Sequence, residues 1–287
     1  MKSAVVRPHQ TRPHELVYDS AASNAPLRGA FLDLYHYRAL LRLLVGRELT
    51  VRYKRSLLGV GWTLLNPLLT ATVMWIVFNK FFRYAIPGNI PYIVYLLAGV
   101  LAVTYLQQGV ANTGASMTAA SGVLTKVYVP PIVFAFSTAS AGAVNFVFGL
   151  APLVAFQLAL GVGVAPTFPA VLLLILLLLS LITGAGLLVA VFSARYHDVR
   201  ELTNVLLFLV SYLTPTFYPI AVVPASYRRY FLFNPMYSFV ESIRYVCYGG
   251  PTPPWYMWAI CTGSALVALV GGTAIFTKRW PTIAILL

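Results

Sequence analysis

About six apolar stretches of membrane-spanning length, none of them holding a carboxylate, constrain this chain more than any other feature: 61–79, 92–113, 132–161, 170–194, 202–218 and 255–276. A helical crossing needs roughly 20 mainly apolar residues. The expected fold class is therefore an all-α integral membrane protein with six transmembrane helices, in line with a composition that is 59% hydrophobic and 9% charged over 287 residues. The same stretches constrain the energy source. An ionisable group at the bilayer centre costs on the order of 3 kcal/mol or more and is kept mainly where protons or ions are handled. Asp198 and Glu201 sit only at a helix junction, so an ion-driven flippase would lack its coupling groups. A membrane-embedded enzyme would need paired carboxylates or a nucleophile with a base, and Glu241 is the one carboxylate on the expected outer side.

Charge orients the chain. Ten basic residues, from Lys2 to Arg55, precede the first stretch, and Lys278 and Arg279 follow the last. With both termini inside, Lys126, Arg195 and Arg200 also fall inside, leaving only Lys80, Arg83, Arg228, Arg229 and Arg244 outside. This is the bias that cytoplasmic loops carry. The expected location is the cytoplasmic membrane, multi-pass, with no cleaved signal peptide. The net charge of +13 suits an anionic inner leaflet, and no nucleic-acid partner is expected. Cys247 and Cys261 make no disulfide framework, and His9, His14, His36 and His197 lack the spacing of a metal site. No metal is expected.

Three units follow. Residues 1–30 read as a flexible cytoplasmic arm, 31–58 as an amphipathic interfacial helix, and 59–280 as the six-span domain. The interfacial helix serves equally as a lipid anchor or as a functional surface. Asn66-Pro67, early in the first span, marks a bend or a helix start. Residues 116–131 form the largest internal loop and end in Pro130-Pro131, and the turn 193–201 gathers opposite charges that bind a partner or cap two helices. After the fifth span, Pro215, Pro219 and Pro224 break the pattern, and 222–249 is too polar and aromatic for an ordinary crossing. It reads as short re-entrant helices dipping in from outside, with Glu241 and Arg244 three residues apart and able to pair. Most of the 18 Tyr and 17 Phe fit interfacial belts. Tyr92, Tyr95, Tyr105, Tyr212, Tyr218, Tyr237 and Tyr245 are also placed to offer ring faces and hydroxyls to a sugar chain in a pore.

The run Arg52-Tyr53-Lys54-Arg55-Ser56-Leu57-Leu58-Gly59-Val60-Gly61-Trp62 with Asn66-Pro67 resembles the N-terminal motif of ABC-2 type permeases that export polysaccharides such as O-antigen, teichoic acid, capsule and related cell-wall glycans. Three later stretches agree in order: Leu124 to Pro131, Arg195-Tyr196-His197-Asp198-Val199, and Asn234-Pro235-Met236 with Glu241 and Arg244. The sequence departs from the family at His197, where a second arginine is frequent, and in its longer arm.

The resemblance implies a membrane subunit that works as a homodimer with two separate ABC ATPase subunits. ATP and Mg would be bound by those partners and no cofactor by this chain, which carries no phosphate-binding loop. It implies a lipid-linked polysaccharide as substrate, with Arg47, Arg52, Lys54 and Arg55 receiving its phosphate. It further implies coupling to the ATPase through Ser121, Leu124, Lys126 and Tyr128, and an external gate containing Asn234, Glu241 and Arg244. The alternative within this class is an exporter of a small lipid or drug.

Overall fold

Residues 92–124 form one continuous helix that runs the length of the molecule, and every other long helix packs on it directly or through one neighbour. The computed structural model describes residues 26–54, 59, 61–81, 86, 88, 90–124, 129–196 and 198–284. Arg55, Lys126, Tyr128, His197 and most of the arm lie outside the described residues.

Ten α-helices are described: α1 Pro26–His36, α2 Arg38–Tyr53, α3 Gly61–Phe81, α4 Tyr92–Leu124, α5 Ile132–Ala159, α6 Val171–Ser193, α7 Asp198–Leu213, α8 Ala225–Arg228, α9 Pro235–Tyr248 and α10 Trp255–Ala284. The described residues contain no strand. Four segments are long and apolar enough to cross a membrane: Tyr92–Leu124, Ile132–Ala159, Phe168–Ser193 and Trp255–Ile283. The apolar part of α3 is shorter, Leu64–Phe78. Likewise α7 has only 16 residues, with Asp198 and Glu201 in its first turn.

Several boundaries differ from expectation for local reasons. The helix expected over 31–58 begins at Pro26 and is broken at Tyr37, whose backbone leaves the helical region at φ −91, ψ 20. Proline at a helix start costs nothing, since first-turn amides lack intrahelical acceptors. α4 continues eleven residues past Thr113 to Leu124, so Ser121 and Leu124 lie on a helix end and not in a loop. α7 starts at Asp198 and stops at Leu213, before Pro215. The expected pair of short helices in 222–249 is α8, a 3-10 turn at Arg229–Phe233, and α9. α9 is closed at both ends: Asn234 Oδ1 accepts from the Met236 amide, Pro235 occupies the first turn, and Gly249 ends it at φ 70.

Packing between α6 and α10 is backbone on backbone. A Cβ on Gly184 would overlap the backbone of Ala268, and one on Gly272 would overlap that of Gly184. Such close approach lets dispersion act along the whole crossing where water cannot drive association. The central core lies around α4, with Leu96, Leu97, Leu174, Leu178, Ile182, Met236 and Phe239 at 0% exposure. A second cluster joins the C-terminal ends of α4 and α10 with the N-terminal end of α5 (Met117, Val133, Phe134, Phe276, Ile283), against which Leu34, Tyr37, Leu40, Leu41 and Leu44 pack. The amphipathic N-terminal helices are therefore seated on the helix bundle through one apolar face, with Arg38, Arg42, Arg47 and Arg52 on the exposed side.

Candidate functional site

Two cavities lie along α4, one beside its middle and one beside its N-terminal end, called inner and outer after the orientation expected from charge. The inner one, about 250 Å³, lies between α3, α4 and α5 and has Arg52 of α2 at its edge. Its wall is polar and aromatic in the middle of otherwise apolar helices: Asn66 and Trp62 from α3, Tyr105, Gln108 and Asn112 from α4, Asn145 from α5. Tyr105 is buried, donates to Ala139 O at 3.4 Å, and packs on Phe146 with ring centroids 5.3 Å apart. Gln108, Asn112 and Asn66 are exposed. In hydrocarbon an amide without a partner costs several kcal/mol, so these exposed amides call for water, a polar ligand or another chain beside them.

The outer cavity, about 200 Å³, is bordered by Tyr95, Tyr237, Glu241, Arg244, Tyr248 and the prolines 251, 253 and 254. Tyr95 and Tyr105 are ten residues apart on α4, which separates the two cavities by about 15 Å. Beside the outer cavity Arg244, 1% exposed, forms a clamp. It donates to Glu241 Oε1 at 2.8 Å, Pro215 O at 3.0 Å, Thr216 O at 3.0 Å and Tyr95 O at 3.4 Å. Its guanidinium lies 3.5 Å from the Tyr95 ring centroid, a cation–π contact. Gly99 leaves the room: a Cβ there would stand 3.0 Å from the guanidinium.

The clamp holds the irregular segment that follows α7. Proline-rich backbone leaves carbonyls without helical donors, and buried carbonyls must be satisfied by some other group. Tyr92 donates to Phe217 O, and Tyr95 donates to Tyr218 O at 3.0 Å with Pro215 O at 3.3 Å. Asn234 adds Thr214 Oγ1 at 2.9 Å and Val210 O at 3.4 Å. Helix α7 is otherwise tied to α4 by side-chain bonds from Gln107 to Ser211 and Leu207 O, and from Arg200 to Thr118.

The residues singled out in the sequence distribute as follows. Arg47, Arg52 and Lys54 are exposed on α2 or at its end, and Arg52 alone of them borders the inner cavity. Tyr92, Tyr95, Tyr105 and Tyr237 are buried, Tyr218 and Tyr245 half-buried, and Tyr212 is exposed beside Phe208 and Phe217. Tyr105 borders the inner cavity, whereas Tyr95 and Tyr237 border the outer one. Ser121 and Leu124 end α4, with Ser121 donating to Thr118 O at 2.9 Å. Glu241 and Arg244 pair on α9 as their spacing predicts, while Asn234 caps the start of that helix and donates to Thr214 Oγ1. Gln108 and Asn112 were not anticipated. Their signal is visible in retrospect as two amides one turn apart inside an apolar stretch.

The family model described as ABC-2 type transporter matches residues 39–248. The chain belongs to the ABC-2 type transporter family. Among curated relatives it is 30% identical over 251 residues to an O-antigen export system permease protein of Myxococcus xanthus, covering 86% of this chain and 95% of that one. It is 25% identical over 240 residues to a protein of the same description from Klebsiella pneumoniae, covering 83% and 91%. The matched family region takes in α2 through α9, and so contains the inner cavity and the Arg244 clamp, whereas the outer cavity is completed by residues 251–254 and Met257 beyond it.

Proposed function

We propose that this chain is the permease subunit of an ATP-driven exporter that moves a lipid-linked polysaccharide out across the cytoplasmic membrane. The observation that carries this reading is the inner cavity: the exposed amides of Asn66, Gln108 and Asn112 and aromatic rings within apolar helices, with the Arg52 cation at its edge. That surface suits a polyhydroxylated chain with an anionic end, and the relatives' description as O-antigen export permeases supports it.

In this reading α3 and α7 complete six crossings, both termini are cytoplasmic, and two copies enclose the path. Two ABC ATPase subunits bind ATP and Mg and supply the energy, while this chain holds no nucleotide. Arg47 and Arg52 of α2, with Lys54 and Arg55 that follow in the sequence, draw the lipid phosphate to the path through charge-assisted hydrogen bonds. The inner end of α4, with Ser121 and Leu124 and then Lys126 and Tyr128, receives the ATPase stroke. At 33 residues α4 is about 50 Å long and unbroken, so it transmits that stroke to Tyr95 and the Arg244 clamp. Asn234, Glu241 and Arg244 then act as parts of an outer gate that limits leakage.

Charge reversal at Arg52 and Lys54 together (Arg52→Glu, Lys54→Glu) tests the headgroup step. A lost charge-assisted contact is worth about 1.5–3 kcal/mol, so glycan export should fall at least about tenfold. Both side chains are exposed, so the ATPase should still co-purify in normal amount. Unchanged export of lipid-linked glycan in that variant would remove α2 from substrate binding.

A further inference from the structure

Gln108 and Asn112 lie one helical turn apart on α4, and Asn66 borders the same cavity from α3. All three are exposed, and none makes a side-chain hydrogen bond among the described residues. A primary amide offers both donors and an acceptor, the same pairing capacity that a sugar hydroxyl presents in return. Trp62, 52% exposed, and the edge of Tyr105 add apolar faces against which the CH face of a sugar ring can lie. Among the described residues the lining contains no carboxylate, and Arg52 is the one formally charged side chain. At about 30 Å³ per water, 250 Å³ holds about eight waters, or a single six-membered sugar ring.

We infer that the inner cavity is a reading site for the first sugar of the cargo: a neutral sugar ring whose hydroxyls pair with Gln108, Asn112 and Asn66 while the phosphate it carries stays on Arg52. This rests on the proposed function above. The site discriminates by the direct hydrogen bonds it adds. A lipid phosphate with no sugar leaves the exposed amides to water, whereas a neutral ring replaces that water with hydroxyls held in fixed positions. Two neutral hydrogen bonds gained in this way are worth about tenfold in affinity.

The test uses the complete permease–ATPase complex in lipid nanodiscs and two probes, a polyprenyl diphosphate and the same lipid bearing one neutral hexose. Wild-type complex should bind the sugar-bearing lipid about tenfold tighter. Gln108→Leu with Asn112→Leu should reduce that preference to less than about twofold, with affinity for the sugar-free lipid unchanged. Should the double variant fail to assemble, Trp62→Leu carries the same expectation. Equal wild-type affinity for the two probes overturns the inference, as does a preference that survives the amide substitutions. Loss of the two-copy assembly with the preference intact also overturns it, by assigning the amides to the contact between copies. Failure of the underlying reading looks different: neither lipid binds the wild-type complex, and Arg52→Glu changes nothing.

Discussion

Arg244→Met will cost about 3–5 kcal/mol of stability, the range for removing one partner of a buried ion pair. It should be read as a large fall in thermal midpoint or a failure to accumulate in the membrane. The reason lies in what the guanidinium leaves behind. Pro215 and Thr216 carbonyls lose a donor at 3.0 Å each, and Glu241 keeps its charge without the partner at 2.8 Å. Arg244→Lys should recover only part of the loss, because three donors on one nitrogen cannot reach α4, α9 and the 215–216 backbone in the directions a planar fork does. Glu241→Gln should be milder still: its side chain is 18% exposed, an acceptor remains, and the carbonyl contacts of Arg244 are untouched. A normal thermal midpoint in the Arg244→Met protein would mean that the segment after α7 is held by Tyr92, Tyr95 and Asn234 alone.

Gly272→Val or Gly184→Val will be as damaging, by a different route. Overpacking usually costs about 1–3 kcal/mol because flexible side chains give way. Here the atoms met are the backbone of the facing helix, which cannot rotate aside, so the loss should exceed that range and separate α6 from α10. The adjacent Gly271 is the control, because a Cβ there meets nothing within 4 Å. Gly271→Ala should be neutral or slightly stabilising through helix propensity. Trypsin resistance and thermal midpoint of the three detergent-solubilised proteins would separate the cases. Equal behaviour of Gly271 and Gly272 variants would contradict the crossing described above.

How much of this was legible follows from what each signal measures. Hydropathy found the four long crossings because lipid demands apolar side chains all round. It ended the second crossing at Thr113, where Asn112, Thr113, Gly114 and Ser116 lower the average, although α4 continues to Leu124. Thr113 and Gly114 are a packing surface: Thr113 meets Gly186, and Gly114 meets Val189, contacts that no local average contains. The pairing of Glu241 with Arg244 was legible from helical spacing. The acceptors of Arg244 on 215 and 216 were not, because they lie 28 and 29 residues away in the chain. Tyr92 and Tyr95 read as exposed ring faces until their hydroxyls were seen bonded to the 215–218 backbone. Attention to charge also hid Gln108 and Asn112, neutral residues whose meaning depends on which side of α4 meets lipid.

The same structure connects these parts mechanically. α4 carries the amide wall near its middle, the Tyr95–Arg244 contact toward its outer end, and Ser121 and Leu124 at its inner end. A rigid helix joining three such points gives a physical route by which events at one end of α4 alter the other. It also explains why α7, fixed to α4 and α9 by a few side-chain hydrogen bonds, leaves an apolar face of Val205, Leu206, Leu209 and Leu213 exposed to lipid or to another chain.

The central claim is that this chain conducts a polysaccharide under power from a separate ATPase. It is tested most directly by reconstituting the purified chain with that ATPase subunit in sealed vesicles and following lipid-linked glycan into a protease- and glycosidase-protected compartment. The account predicts transport that requires ATP and the ATPase subunit and is unaffected by a protonophore. Transport by the chain alone that collapses with the proton gradient, or ATP-driven transport of small lipids with no movement of glycan, would contradict it.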